Sequence, residues 1–221
     1  MIIAIDGPAG AGKSTVARIL AKELGFLYID TGAMYRALTL RVLEENIDIK
    51  DAMRIILTAK DTNIDLKHAP DASFKIFLDG REVTKDIRQP RITKFVSDIA
   101  KIKGVREVML GLQRKLGSEN NAVLDGRDIG TVVFPNAEKK FYIDADFKER
   151  VKRRYEELKG LGQDVSLNDV EADLRNRDTI DSTREFAPLK KADDAIYIDT
   201  TRMTIEEVVE KTLSYIRWIN P

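Results

Sequence analysis

The chain predicts an α/β domain built on a parallel sheet, and three observations carry that prediction. Five short apolar runs recur along the 221 residues, with helical patterns between them. Each run is followed at once by an aspartate. Between the first run and the first helical pattern lies a glycine-rich turn with the spacing of a phosphate-cradling loop.

The first run, residues 2–5, reads as a buried parallel strand. It leads straight into Gly7-Pro8-Ala9-Gly10-Ala11-Gly12-Lys13-Ser14, with Thr15 behind it. These residues fit G-x-x-x-x-G-K-[ST], and residues 14–24 follow as a helix, which is the context the spacing needs. Glycines let backbone N–H groups turn inward around phosphate oxygens. The helix N-terminus adds roughly half a positive charge at the same spot. In such a loop Lys13 reaches the terminal phosphates of a nucleotide, and the Ser14 hydroxyl ligates Mg²⁺.

The other runs, at 26–29, 122–124, 140–143 and 195–198, complete the sheet. Their closing aspartates fall at the carboxyl edge, where open α/β sheets bind ligands. Asp144 and Asp199 read as caps of the turns that follow. For Asp6, Asp30 and Asp125, nearest the loop, capping and a place around Mg²⁺ both stay open. Between residues 62 and 88 the pattern changes. The stretch 73–78 partly alternates, Asp79-Gly80 signals a hairpin, and Glu82-Val83-Thr84 continues on the other side, so a small antiparallel insertion is expected there. His68, the only histidine, reads as an exposed turn residue beside Ala69-Pro70. Residues 146–160 read as a helix with Arg150, Lys152, Arg153 and Arg154 in its first half. Gly160-Leu161-Gly162 breaks it, and residues 167–179 start another. An amphipathic helix over 204–218 closes the chain, with Ile205, Val208, Val209, Leu213 and Ile216 forming a core stripe.

Lys plus Arg equals Asp plus Glu, 37 each, which argues against a general nucleic-acid or membrane binder. The absence of cysteine excludes disulfides and thiolate metal sites. Met1 leads directly into the first strand, and no apolar run is long enough to span a bilayer. The expectation is a monomer in the cytoplasm, acting on small molecules.

A phosphate-binding loop alone fits a switch GTPase, a motor ATPase or a small-molecule kinase. The guanine-reading N-K-x-D is absent. Arginines stand instead beside small polar residues at helix ends and turns: in 31–36 (TGAMYR), 125–128 (DGRD) and 177–184 (RDTIDSTR). Phosphoryl transfer spreads negative charge over both reactants, so positioned cations carry most of its catalysis. At about 4 Å and an effective dielectric near 20, each such contact is worth about 4 kcal/mol before desolvation. Arginine suits this work because its planar fork binds two oxygens and stays charged.

Five stretches, GPAGAGKST, DTGAMYRA, VSDIAKIKGVR, DGRDIGTVVFP and RDTIDSTREFAPL, together make the chain resemble the bacterial cytidylate kinases from Met1 to its final helix. The resemblance implies a P-loop nucleoside-monophosphate-kinase fold, with a five-stranded parallel sheet flanked by helices, a small antiparallel β insertion and a helical lid. It implies a single kinase domain, with a core over 1–30, 104–145 and 185–221, a monophosphate-binding insertion over about 31–103 and a lid over about 146–184. The implied reaction moves the γ-phosphate of ATP to CMP or dCMP, with Mg²⁺, in pyrimidine nucleotide metabolism.

By the same resemblance, Gly7, Pro8, Ala9, Gly10, Ala11, Gly12, Lys13, Ser14 and Thr15 hold the ATP phosphates. Thr31, Arg36 and Arg127 hold the CMP phosphate; many relatives have serine at the position of Thr31, which keeps the hydroxyl. Ser97, Arg106 and Asp128 read the cytosine, while Arg177, Asp181 and Arg184 hold the pentose and phosphate groups. Lys13, Arg36, Arg127 and Arg184 are the implied catalytic set, and Arg150, Arg153 and Arg154 are three open choices for a lid arginine. The base assignment also has a physical basis. Cytosine presents an acceptor at N3 and donors at its 4-amino group, so it needs a cation and an oxygen acceptor side by side. Uracil reverses both, and such sites can discriminate by about 10⁴-fold when a buried polar group is left mismatched.

Overall fold

The computed structural model describes residues 1–68 and 74–217. Each of the five expected runs forms a strand, and each strand takes in the aspartate that closes it: β1 (Ile2–Asp6), β2 (Leu27–Asp30), β6 (Ala122–Gly126), β7 (Lys139–Asp144) and β8 (Ile196–Asp199). They pair in the order β2-β6-β1-β7-β8, every pair parallel. The register sets Asp30 beside Asp125, Asp6 beside Gly126 and Tyr142, and Asp144 beside Asp199. The acidic strand ends therefore form one row along one edge.

Both faces of the sheet are covered. Helix α1 (Lys13–Leu24) and helix α8 (Ile205–Arg217) pack Val16, Leu20, Val208 and Leu213 onto Ile3, Ile5, Phe141 and Ile198. The expected closing helix is thus present, but Ile205, expected in its core stripe, is exposed in the first turn; Trp218 lies outside the described residues. On the other face, helices α2 (Thr31–Glu44), α4 (Pro90–Ala100) and α5 (Lys103–Ser118) bury Met34, Leu38, Ile99 and Met109 against Ala4, Ile29 and Leu124. Such burial is worth about 1.5–3 kcal/mol per large side chain, which is why these amphipathic stripes outrank local propensity.

The insertion has one strand more than the sequence suggested. Strand β3 (Ile64–His68) pairs antiparallel with β4 (Phe74–Leu78), which pairs with the short β5 (Arg81–Glu82). Alternation at Ile64, Leu66 and His68 was the available signal. His68 ends β3 opposite Phe74 rather than standing in a turn; its side chain, with Ala69 and Pro70, lies outside the described residues. Asp79 and Gly80 both take positive φ, 50° and 82°, the backbone a tight hairpin turn requires. Val83 and Thr84 leave the strand, yet the Val83 N–H still donates to the Ile76 carbonyl. Helix α3 (Ala52–Lys60) precedes β3. Ile64, Ile76 and Leu78 share one apolar cluster with Leu38 and Met34, so the insertion is seated on the core.

Helices α6 (Phe147–Gly160) and α7 (Leu167–Thr183) form a pair joined by Gly162 at φ 73°. A reciprocal Ser166/Asp169 capping box starts α7. The helix runs four residues past the expected end at 179. The hydroxyls of Ser182 and Thr183 donate back to the Asp178 and Thr179 carbonyls and keep the last turn closed.

Candidate active site

Two of the acidic strand ends, Asp30 and Asp125, line a cleft of about 520 Å³ together with the phosphate loop, the first turns of α2, helices α4 and α5, the turn after β6, and the α6–α7 pair. The loop owes its shape to glycine at two close approaches. A Cβ on Gly7, at φ 145°, would sit 1.9 Å from the Ile143 carbonyl oxygen. A Cβ on Gly10, at φ 78°, would press on Arg150 at 3.0 Å. Gly12 caps α1 in the left-handed conformation, so Lys13 and Ser14 open the helix, one residue earlier than expected for Lys13.

Lys13 is buried and donates from Nζ to the Pro8 carbonyl at 2.6 Å, across the loop. Burial first, then the nearby Arg127 guanidinium, pushes its ammonium well below the usual lysine range. The Ser14 hydroxyl donates to Asp125 Oδ2 at 2.6 Å, and the Tyr28 hydroxyl donates to Asp125 Oδ1 at 2.9 Å. Asp125 is itself driven upward, by burial above all and then by Asp30. Of the three aspartates left open between cap and metal neighbour, Asp30 caps α2 through the Ala33 N–H at 2.8 Å. Asp6 accepts from the Ile129 and Gly130 N–H groups at 2.8 and 2.7 Å and so holds the turn after β6. Asp125 alone touches Ser14. Among the described residues there is no cluster of three or more acidic or histidine side chains that could hold a metal by themselves. Two hard oxygen ligands, Ser14 Oγ and Asp125, fit Mg²⁺, which keeps waters and phosphate oxygens in its shell.

Beyond the loop the cleft divides in two. At one end, guanidinium and carboxylate groups alternate. Arg106 Nη2 donates to Asp128 Oδ2 at 2.6 Å, Arg184 meets Asp128 at 3.5 Å and Asp181 at 3.4 Å, and Arg127 Nε donates to Asp181 at 2.8 Å. Arg184 also donates to the Ala187 carbonyl at 2.7 Å. Arg106 lies over the Tyr35 ring, 5.3 Å from its centroid. Burial opposes the Arg106 charge, but Tyr35 and Asp128 more than offset it, and its pKa rises. Asp181 likewise stays below the usual carboxylate range: burial lifts it, while Arg127 and Arg184 pull it down further. Ser97, buried on α4, lines this end.

At the other end cations outnumber their partners: Arg154 pairs with Glu157 at 2.8 Å, while Arg36 and Arg177 have no carboxylate as close. Arg36 has a hydrogen bond to Thr93 Oγ1 at 2.9 Å; burial, then Arg177 and Arg154, push its pKa down to about 9. Arg177 is lowered too, by burial and then by Arg127, and its one close carboxylate, Asp173, is 3.7 Å away. The Nε groups of Arg154 and Arg177 are buried with no acceptor. Thr31, at the start of α2, turns its hydroxyl to the Asp125 carbonyl at 2.7 Å. Nine basic side chains line the cleft against five acidic ones, in a chain whose total charges cancel. A half-buried surplus of guanidinium groups is costly until anions neutralise it, which makes this end of the cleft suited to anions.

The three arginines of α6 separate by helix face and by turn. Arg154 lines the cleft. Arg150 is buried beside the phosphate loop, donating to the Ala9 carbonyl at 3.1 Å and to Asp178 at 2.6 Å. Arg153 points to the other side of the helix, donating to the Thr200 carbonyl at 2.7 Å. Arg150 and Arg153 therefore do not line the cleft: Arg153 sits on another face of α6, while Arg150, one turn before Arg154 on nearly the same face, is engaged by the loop and Asp178. Tyr35 under Arg106 and Arg88 in the lining were not singled out from sequence, whereas Asp125, which the sequence left open as a neighbour of Mg²⁺, meets Ser14. Adjacency to Arg36 was a signal for Tyr35; no spacing signal marks Arg88.

The described residues include no helix long and apolar enough to cross a membrane. The family description "Cytidylate kinase" matches residues 3–218. A cytidylate kinase of Caldanaerobacter subterraneus subsp. tengcongensis is 52% identical over 215 residues, 97% of this chain and 94% of the relative. One from Clostridioides difficile is 50% identical over 98% of each chain. One from Bacillus licheniformis is 47% identical over 98% of this chain and 96% of its own length. Among solved structures, shikimate kinase from Acinetobacter baumannii in complex with shikimate aligns with a TM-score of 0.50 at 18% identity, covering 99% of this chain and 94% of that one, a likeness of fold. With its phosphate loop, its parallel sheet and a match that spans nearly every residue, the chain belongs to the cytidylate kinase family.

Proposed function

We propose that the protein transfers the γ-phosphate of ATP to CMP or dCMP, giving ADP and CDP or dCDP. The observation that carries this is the division of one cleft into an end with surplus guanidinium groups and an end where Arg106 and Asp128 form a buried pair. An oxygen of the CMP phosphate attacks the γ-phosphorus as the bond to the ADP oxygen breaks. No general base is needed, since the acceptor is already an anion. Lys13 and the backbone of residues 7–15 hold the donor phosphates. Thr31, Arg36, Arg127, Arg177 and Arg184 bring the acceptor phosphate in line and meet the charge that spreads across the transition state. Arg154 closes from α6 over the transferring group. Ser14, with Asp125 beside it, would hold Mg²⁺, whose charge offsets that of the β- and γ-phosphates when it is bound.

Arg106, Asp128 and Ser97 present a cation and oxygen acceptors to the cytosine edge, and Asp181 with Arg184 borders the pentose. In this reading residues 146–184 act as a lid that excludes water, residues 31–103 carry the monophosphate site, and the enzyme works as a cytoplasmic monomer on free nucleotides. A coupled ADP-release assay over CMP, dCMP, UMP, AMP and shikimate tests the substrate: turnover concentrates on CMP and dCMP. Equal turnover of UMP and CMP would refute the base assignment, and elution of the pure protein at the mass of more than one chain would refute the monomer.

A further inference from the structure

The tip of the phosphate loop is part of the hydrophobic core of the helical pair behind it. Ala9 packs in one cluster with Val151 of α6 and with Val170 and Leu174 of α7. Gly10 lies against the Arg150 backbone closely enough that any side chain there would collide. One buried guanidinium joins these parts. Arg150 donates from Nη1 to the Ala9 carbonyl at 3.1 Å and to Asp178 Oδ2 at 2.6 Å, and from Nε to the Ala145 carbonyl at 3.1 Å, while lying over the Phe147 ring. Asp178 is the neighbour of Arg177, which lines the cleft. The loop that cradles donor phosphates and the helix turn that presents an acceptor-phosphate arginine thus end on the same side chain.

We propose that Arg150 is a positioning residue: it ties the phosphate loop to the Arg177 turn of α7, so that ordering one orders the other and the two nucleotides bind with positive coupling. It touches no nucleotide itself. A fork with several fixed donors can span carbonyl, carboxylate and loop at once; an ammonium on a flexible stem cannot. Coupling of this kind is a shared preorganisation cost, met once by whichever ligand arrives first. The donor–acceptor part of the proposal rests on the phosphotransferase reading above; the tie to the loop does not.

Hydrogen exchange of the amides of residues 8–13 in the full-length protein, together with calorimetric binding of a non-hydrolysable ATP analogue, tests the tie. In Arg150→Lys a positive charge remains for Asp178 but the span is lost. Loop exchange is expected to rise by about tenfold and analogue affinity to fall by about tenfold. Wild-type exchange and affinity in that variant would overturn the proposal, because neutralising Asp178 would then be the whole role. Asp178→Asn is the gentler cut, leaving Arg150 on Ala9. Analogue affinity should stay within about threefold of wild type while the KM for CMP rises about fivefold. Equal losses for both nucleotides, or none, would overturn the coupling. Should the wild-type protein turn over no CMP, the substrate reading falls, while loop exchange and analogue binding in Arg150→Lys still decide the tie.

Discussion

Arg36 and Arg106 share a cleft and have opposite electrostatic surroundings. Arg36 bonds to a threonine hydroxyl, and burial with the Arg177 and Arg154 cations pushes its pKa down to about 9. Arg106 pairs with Asp128 at 2.6 Å over an aromatic ring, and its charge is favoured. One is a cation held in deficit of anions; the other has a close carboxylate partner, although its Nε is buried without an acceptor. In the function proposed above, the difference separates two tasks. A group that must capture a polyanion gains most if its own charge is left uncompensated until the ligand comes. A group that must read a neutral ring needs a fixed direction, which a buried ion pair supplies at little net gain in stability.

Ways to break this contrast follow in order of size. Lys13→Ala belongs to the uncompensated class and touches the transferring group. Turnover is expected to fall by about three orders of magnitude with the thermal midpoint preserved, measured by steady-state kinetics beside a melt. A collapsed melt would make Lys13 part of the scaffold.

The pair Arg36→Met and Arg106→Met tests the contrast directly. Arg36→Met should raise the KM for CMP by about 100-fold without loss of stability, because it removes an unpaired charge. Arg106→Met should cost about 3 kcal/mol in urea unfolding, because it leaves buried Asp128 with only the longer Arg184 contact at 3.5 Å. A larger stability loss for Arg36→Met would invert the comparison.

Asp128→Asn replaces one acceptor oxygen of the reading end with a donor. The preference for CMP over UMP should narrow by about 10–100-fold. Equal damage to both substrates would make the carboxylate a scaffold group.

A last effect is in pH and is read in stability, not in turnover. Burial raises Asp6 from 3.8 to about 6, against the pull of the Gly130 and Ile129 N–H groups. A raised carboxyl favours the fold when protonated. Its contribution is therefore fully present below about pH 4 and is lost as pH climbs through about 6, by up to about 3 kcal/mol. Asp6→Asn cannot titrate, so its stability should change less than that of wild type between pH 4 and 7. Identical slopes would show that Asp6 ionises freely.

Much of this cleft was legible in the chain, and the illegible part has a common cause. Arg184 reads as a phosphate ligand from its neighbours in sequence, yet its guanidinium also holds the Ala187 carbonyl and two aspartates. Removing it should loosen the scaffold as well as the site. Arg150, Arg153 and Arg154 are near-equivalent letters on one helix. Which of them faces the cleft depends on how α6 packs on α7 and on the loop, information that no residue of α6 carries alone. Strand β3 was missed because its alternation is short and its partner comes after an intervening stretch.

The sequence by itself determined the local features: the glycine spacing that forces the loop, the apolar runs that make strands, and the aspartates that line up once those strands are parallel. Short-range sterics and period-two or period-3.6 burial decide such features, and both are written in consecutive residues. Tertiary structure alone decided that Asp125 meets Ser14, 111 positions away, and that Asp128 meets Arg106 and Arg184. Whether a charge is paired or left in surplus is a property of the space around it, and that space exists only once the chain has closed on itself.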